Sequence, residues 1–337
     1  MSKPAVKTEK SLSIQGAFIE SLKSALPVGI GLAEELADLL NISIDSAYRR
    51  IRGETELTLN EAHKICNKYT LSIDAVFGSK NDNVTFAYTR LTEERSSFET
   101  YMKRLISHLR TIDASGKGHI YYVAEEMPMF YSFYSKRLTA FKLFYWQRGV
   151  LNVPEYQQVK FEWDLLPSEL IEDAHLSFKE YLNIPVTEIW SDETVQTGLR
   201  QIKFCLDSGL VTKEQAVLLM KDYREMVQMV YQNASTGTKQ ISDKSPTYTL
   251  YYSDVMLGTN CIFVNIGNTR HSYISFNTMN SLNTSNDAFC EETSHWIKNL
   301  IKKSTLISGV AEKQRFQFFD RMFKLIDQKL AEIEANG

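Results

Sequence analysis

LAEELADLLNISIDSAYRRIR, residues 32–52, decides how the first part of this chain folds. Leu32, Leu36, Leu39 and Leu40 recur at helical spacing on one face, with Glu34, Glu35 and Asp38 on the other, so the first half is an amphipathic helix. Asn41 and Ile42 interrupt it, and asparagine tolerates the left-handed backbone that a tight helix exit needs. Ser43 is a good N-cap for a second helix, and Asp45 in its first turn complements the macrodipole. Ala47 and Ile51, four apart, are small enough to pack on the first helix, whereas Tyr48, Arg49, Arg50 and Arg52 project outward before Gly53 ends it.

The flanks complete a small helical unit. Upstream, Ile14, Phe18, Leu22 and Leu26 lie four apart until Pro27 stops the helix, and residues 1–11 show no periodicity and read as a flexible arm. Downstream, Thr58 and Glu61 form a Thr-x-x-Glu capping box for a helix burying Ala62, Ile65 and Tyr69, with Cys66 as a filler of the core. A last short helix runs from Ser72 to Gly78. The polar SKNDN that follows marks a linker, placed at 80–92.

These residues resemble the helix-turn-helix of the Cro/C1, lambda-repressor-like transcriptional regulators. LAEELADLL is similar to the first motif helix, NIS to the turn, IDSAYRRIRGE to the recognition helix and TELTLNEAHKICNKYTLSIDAVFG to the two closing helices, over residues 12–79. The resemblance implies an all-α, five-helix domain that binds double-stranded DNA. It implies that Ser43 holds a phosphate, that Ile44, Asp45, Ser46 and Arg49 face base edges in the major groove, and that Arg50 or Arg52 grips the backbone. Three arginines on a short helix are also what a merely solvated face looks like.

Composition bounds the rest. Hydrophobic residues make up 43% of the 337 and the net charge is −3, which describes an ordinary globular protein long enough for two domains. No apolar run approaches the ~20 residues of a membrane span and the N-terminus lacks the apolar core of a signal peptide, so a cytoplasmic location without membrane contact is expected. Cys66, Cys205, Cys261 and Cys290 form no CxxC pair, which argues for free thiols in a reducing compartment. Positive charge is local: within 43–53 three arginines face one aspartate, although 29–80 as a whole holds more acids than bases.

Beyond the linker, residues 93–337 read as one α+β domain. Helical patterns occupy Thr92–Ile112, a stretch from Met127, DLLPSELIEDAHLSFKEYL, DETVQTGLRQIKFCLDSG and TKEQAVLLMKDYREMVQMVYQ, with NIPVTEIWS read as a separator. YTLYYSDVML, NCIFVNIG and RHSYISFNT are β-rich runs joined by turn residues, expected to form a small antiparallel sheet that GHIYYVAEE joins. Helices from about Asn286 and Val310 close the chain. In the terminal one, Phe316, Phe319, Phe323, Ile326, Leu330 and Ile333 follow heptad spacing, so this stripe either packs within the domain or meets its own copy across a two-fold axis.

Ten aromatic residues crowd Tyr121–Trp146. Helical spacing favours core, but the tyrosines also suit an effector pocket, for which Tyr121, Tyr122, Phe130, Tyr134 and Tyr145 are the candidates. No GxGxxG, Walker, GxSxG or HExxH motif occurs. Glu291 and His295, four apart and near Cys290, would bind a metal only if His271 approached, and an ion pair is the simpler reading. No Ala-Gly or Cys-Gly bond is present for self-cleavage. The expectation is therefore a sequence-specific DNA-binding transcriptional regulator, not an enzyme and without a cofactor, acting as a homodimer whose second domain dimerises it and senses a small-molecule effector. The alternatives are an antitoxin or scaffold-type protein using the same helices on a protein partner, and an enzyme fused to a DNA-binding module.

Overall fold

A computed structural model describes residues 13–26, 30–69, 71, 73, 83–239, 244–267 and 269–335. The chain forms two compact units that divide between Thr85 and Phe86. In the first, four helices are found among the described residues: α1 (Ile14–Ala25), α2 (Leu32–Leu40), α3 (Ile44–Ile51) and α4 (Leu59–Tyr69). Asn41 leaves α2 with φ at 56°, and the N–H of Ile42 returns to the carbonyl of Ala37 at 3.0 Å. That left-handed exit turns the chain sharply enough for Ser43 to cap α3 by accepting from the N–H of Ser46.

Phe18, Leu22, Leu36, Leu40, Ala47 and Ile65 bury a single small core contributed by all four helices. Ala47 is wholly buried, and its small size lets α3 approach α2 closely. The capping box forms as the spacing requires: Thr58 N–H donates to Glu61 Oε2 at 2.9 Å and Glu61 N–H to Thr58 Oγ1 at 3.2 Å. The arm at 1–11 and most of the helix expected from Ser72 to Gly78 lie outside the described residues.

The second unit corrects the expected fold class. Instead of an α+β domain with a small antiparallel sheet, it is an α/β unit around a seven-stranded mixed sheet, in the order β6-β5-β4-β1-β2-β3-β7. The chain runs α5 (Arg95–Ala114), β1 (His119–Ala124), a 3-10 turn (Met129–Phe133), α6 (Lys136–Gly149), α7 (Ser168–Leu182) and β2 (Val186–Trp190). It continues through α8 (Glu193–Asp207), α9 (Lys213–Thr236), β3 (Tyr248–Tyr252), β4 (Cys261–Ile266), β5 (Thr269–Phe276) and β6 (Asn280–Thr284). The last elements are α10 (Asp287–Lys303), β7 (Thr305–Leu306) and α11 (Glu312–Ala335). β1, β2 and β3 run parallel, and β4, β5, β6 and β7 extend the sheet antiparallel at its two sides.

The overturned element is VTEIW. It read as a separator because Pro185 precedes it and Glu188 interrupts its apolar run, yet every residue of β2 is buried at the centre of the sheet. With a strand there, the helices before and after it become crossover connections, which parallel pairing requires. Ala124, Ile120 and Tyr122 of β1 face the larger core, beneath α5 to α9 and α11, while Val123 and Tyr121 face a smaller one with Cys290, Ile297 and Leu300 of α10.

One boundary differs from the sequence reading. Residues expected in the linker belong to the second unit: Ala87 exchanges both backbone hydrogen bonds with Asn283 of β6, at 2.7 and 2.8 Å, and Phe86 meets Phe289 edge-on at 5.2 Å. Here the outer edge of the sheet finds a partner. The aromatic stripe of α11 also packs internally, for Phe319 and Phe323 lie against Tyr231 of α9, with Phe319, Ile326 and Ile333 buried. Phe316 stays exposed on the other side.

Candidate nucleic-acid interface and effector cavity

On α3, Ile44, Asp45, Tyr48, Arg49 and Arg52 are exposed and share one face, following from a helix whose opposite side buries Ala47. Of the residues expected at the interface, Ile44, Asp45, Arg49 and Arg52 therefore stand together. Ser43 is exposed at the N-cap, where its hydroxyl accepts from Ser46 N–H and donates to Ser46 Oγ at 2.9 Å, so both hydroxyls hold the helix start. Tyr48, 44% exposed on this face, was missing from the expected set.

Arg50 departs from it. Its guanidinium turns back to Glu61 on α4, with Nη2–Oε1 at 2.9 Å and Nε–Oε2 at 3.3 Å, and Nη1 donates to the carbonyl of Ser46 at 3.3 Å. Both side chains of the pair are mostly buried. Burial alone would push the Glu61 carboxyl up, but Arg50 and the Thr58 N–H outweigh it and the pKa is lowered. Arg50 thus fixes α3 to α4 instead of reaching outward.

A second brace comes from α1, where the Gln15 amide donates to the carbonyls of Arg50 and Thr55, both at 2.8 Å, and accepts from Leu57 N–H at 2.9 Å. The loop leaving α3 is held at three points by one side chain. By contrast, Arg49 pairs with Asp45 at 3.2 Å and Arg52 with Glu54 at 2.7 Å, all four groups being more than half exposed. Exposed pairs of this kind are screened by solvent and hold little stability, so either arginine can exchange its partner for an external anion at little cost.

The expected effector cluster does not converge. Tyr121 and Tyr122 are strand neighbours and point to opposite faces of the sheet, Tyr121 packing near Phe263. Tyr134 lies edge-on to Phe178 and Tyr145 beside Phe141, both half-buried. Of the five, Tyr122 and Phe130 line one cavity together. Three tyrosine hydroxyls of the interior instead meet at Glu188 of β2: Tyr131 and Tyr181 donate to Oε1 at 2.8 and 2.5 Å, Tyr248 and Trp190 Nε1 to Oε2 at 2.9 Å each. Burial raises the pKa of this carboxyl against the pull of those donors.

Lys239, also fully buried, lies 4.1 Å over the Tyr181 ring and donates to the carbonyls of Tyr181 and Ile184 at 2.8 Å each. Burial brings its pKa down to about 7.

A cavity of about 120 Å³ does exist, between α5 and the sheet. Its floor includes Ile120 and Tyr122 of β1, Ile262 and Val264 of β4, and its mouth carries Arg104 and His108 of α5. Tyr101 closes one side by donating to the carbonyl of Met279 at 2.8 Å. These residues come from elements far apart in sequence, and the only local signal was the four-residue spacing of Arg104 and His108.

The metal alternative also fails to assemble. Ser272 of β5 touches Cys290 on α10, at 3.4 Å, so its neighbour His271 faces away from Glu291 and His295. Among the described residues no cluster of three metal-ligating side chains occurs, and no helix is long and apolar enough to cross a membrane. Comparison of the chain with protein families, with curated proteins and with solved structures finds no match.

Proposed function

We propose that this chain is a sequence-specific DNA-binding transcriptional regulator of the cytoplasm, resembling the Cro/C1 type in residues 12–79, that binds double-stranded DNA as a homodimer. The second unit serves dimerisation and effector sensing, without catalysis. One observation carries the reading: α3 offers Asp45, Tyr48, Arg49 and Arg52 on one exposed face while Gln15 and the Arg50–Glu61 pair hold the helix from behind. Rigid backing of a short exposed helix suits major-groove recognition, where side chains must meet base edges in fixed register.

The experiment is selection of bound fragments from random duplex DNA, followed by titration of variants on the selected site. Arg49→Ala is expected to relax preference at one base pair at a cost of about 1–3 kcal/mol, and Arg52→Ala to weaken all sequences alike. Failure to enrich any sequence removes the DNA reading. A second reading, an antitoxin or scaffold-type protein, is favoured by Ile44 and Tyr48, which are 51% and 44% exposed on that same face. The two separate by salt: phosphate contacts make affinity fall steeply as salt rises, and a mainly apolar protein interface does not.

A further inference from the structure

α5 turns one stripe to the sheet, and the cavity beneath it is apolar inside and basic at the rim. Arg104 and His108 lie one turn apart at the exposed edge of that stripe. His271 of β5, whose pKa is lowered chiefly by burial and further by His108, faces the same side of the strand as Tyr273, which lines the cavity. None of the lining residues is an aspartate or glutamate. Among the described residues Arg104 has no hydrogen bond and no ion pair, in a protein where most other arginines are paired. A permanent cation at the mouth of an apolar hole, with no internal counter-charge, favours an anion that brings its own hydrocarbon.

Size narrows the choice. An apolar cavity of roughly 150 Å³ takes up benzene, so about 120 Å³ suits a body of five or six carbons. We propose that this cleft binds a compact apolar monocarboxylate, its carboxylate held by Arg104 and its body lying against Ile120, Ile262 and Val264. Arg104 offers a planar fork that matches a carboxylate, and the imidazole of His108 adds a donor beside it. The inference gives a chemical class to the effector of the proposed regulator. Binding measured without DNA keeps its failure apart from a failure of DNA recognition.

The test is calorimetric titration of the full chain with benzoate and 4-methylpentanoate, with benzyl alcohol as the neutral counterpart. At least one acid is expected to bind saturably with Kd below about 1 mM, and benzyl alcohol about tenfold or more weaker. Arg104→Gln, at an exposed position, is expected to lower affinity for the acid about tenfold and leave the alcohol unchanged. Ile262→Phe, which fills the floor, is expected to abolish binding of both; should that variant not fold, the Arg104→Gln result decides alone. The proposal is overturned if neither acid binds up to about 10 mM, if the alcohol binds as tightly as the acids, or if Arg104→Gln binds the acid unchanged.

Discussion

The guanidinium of Arg50 on α3 grips the carboxylate of Glu61 on α4 through two nitrogen–oxygen contacts, at 2.9 and 3.3 Å, while Glu61 also caps its own helix through Thr58. One carboxylate therefore serves a helix start and an inter-helix tie. Arg50→Ala would leave Glu61 mostly buried and without its cation, and is expected to destabilise the first unit by about 1–2 kcal/mol. Chemical denaturation of that unit checks this. An Arg50→Ala protein of full stability that loses DNA affinity would instead return Arg50 to the phosphate backbone.

Glu188→Ala strands three tyrosine hydroxyls and one indole N–H in a fully buried site. A loss of about 3–5 kcal/mol is expected for the second unit, with Glu188→Gln losing less because one carbonyl oxygen still accepts. Urea titrations of the two variants should rank in that order. Equal losses below about 1 kcal/mol would mean the donors find other partners.

His119 gives the second unit an acid limit. Burial chiefly, and the charge of Lys239, hold its pKa down to about 4 from 6.5, and its Nε2 lies 3.0 Å from Thr187 Oγ1. A base depressed on folding binds its proton more readily when unfolded, so its stabilisation is complete above pH 6.5 and is lost as pH falls toward 4. Between pH 7 and pH 5 the loss is up to about 2 kcal/mol, and His119→Gln is expected to show a correspondingly flatter profile. Identical profiles would remove His119 as the source.

Phe323→Asp with Leu330→Asp is expected to lower the melting temperature of the second unit, because Phe323 lies under Arg224 and beside Tyr231, and Leu330 packs on the same core. Phe316→Asp, at a 61% exposed position, should leave it unchanged. Calorimetry distinguishes them. A double variant that melts like the wild type would show the stripe free for another partner.

The helices of the first unit were legible because their signals are local: Asn41 at an exit, Ser43 at a start, Thr58 with Glu61 three residues on. β2 was not, since a glutamate at the centre of a buried strand makes sense only once Tyr131, Tyr181 and Tyr248 are known to surround it. The β-branched and aromatic run Val186, Thr187, Ile189 and Trp190 was the available sign. On α3 the exposed face was largely readable, except that Arg50 looks as free as Arg49 until Glu61 is placed beside it. Strand alternation alone would have parted Tyr121 from Tyr122. The cavity had no sequence signature, because its wall draws on α5, β1, β4 and β5 together.

The order of the sheet also sets a timetable. His119–Ala124 leaves the ribosome before either neighbour in the ladder, and its antiparallel partner, Cys261–Ile266, follows only after α8, α9 and β3 have been made. Until then the central strand keeps one edge open even once β2 has covered the other, and closing it joins segments distant in the chain. Refolding of the second unit is therefore expected in milliseconds to seconds, and that of the helical first unit faster, which stopped-flow fluorescence on the full chain would resolve. During synthesis the first unit reaches its native form while the second still awaits its centre, leaving Tyr122 and Val123 as surfaces a chaperone would have to shield.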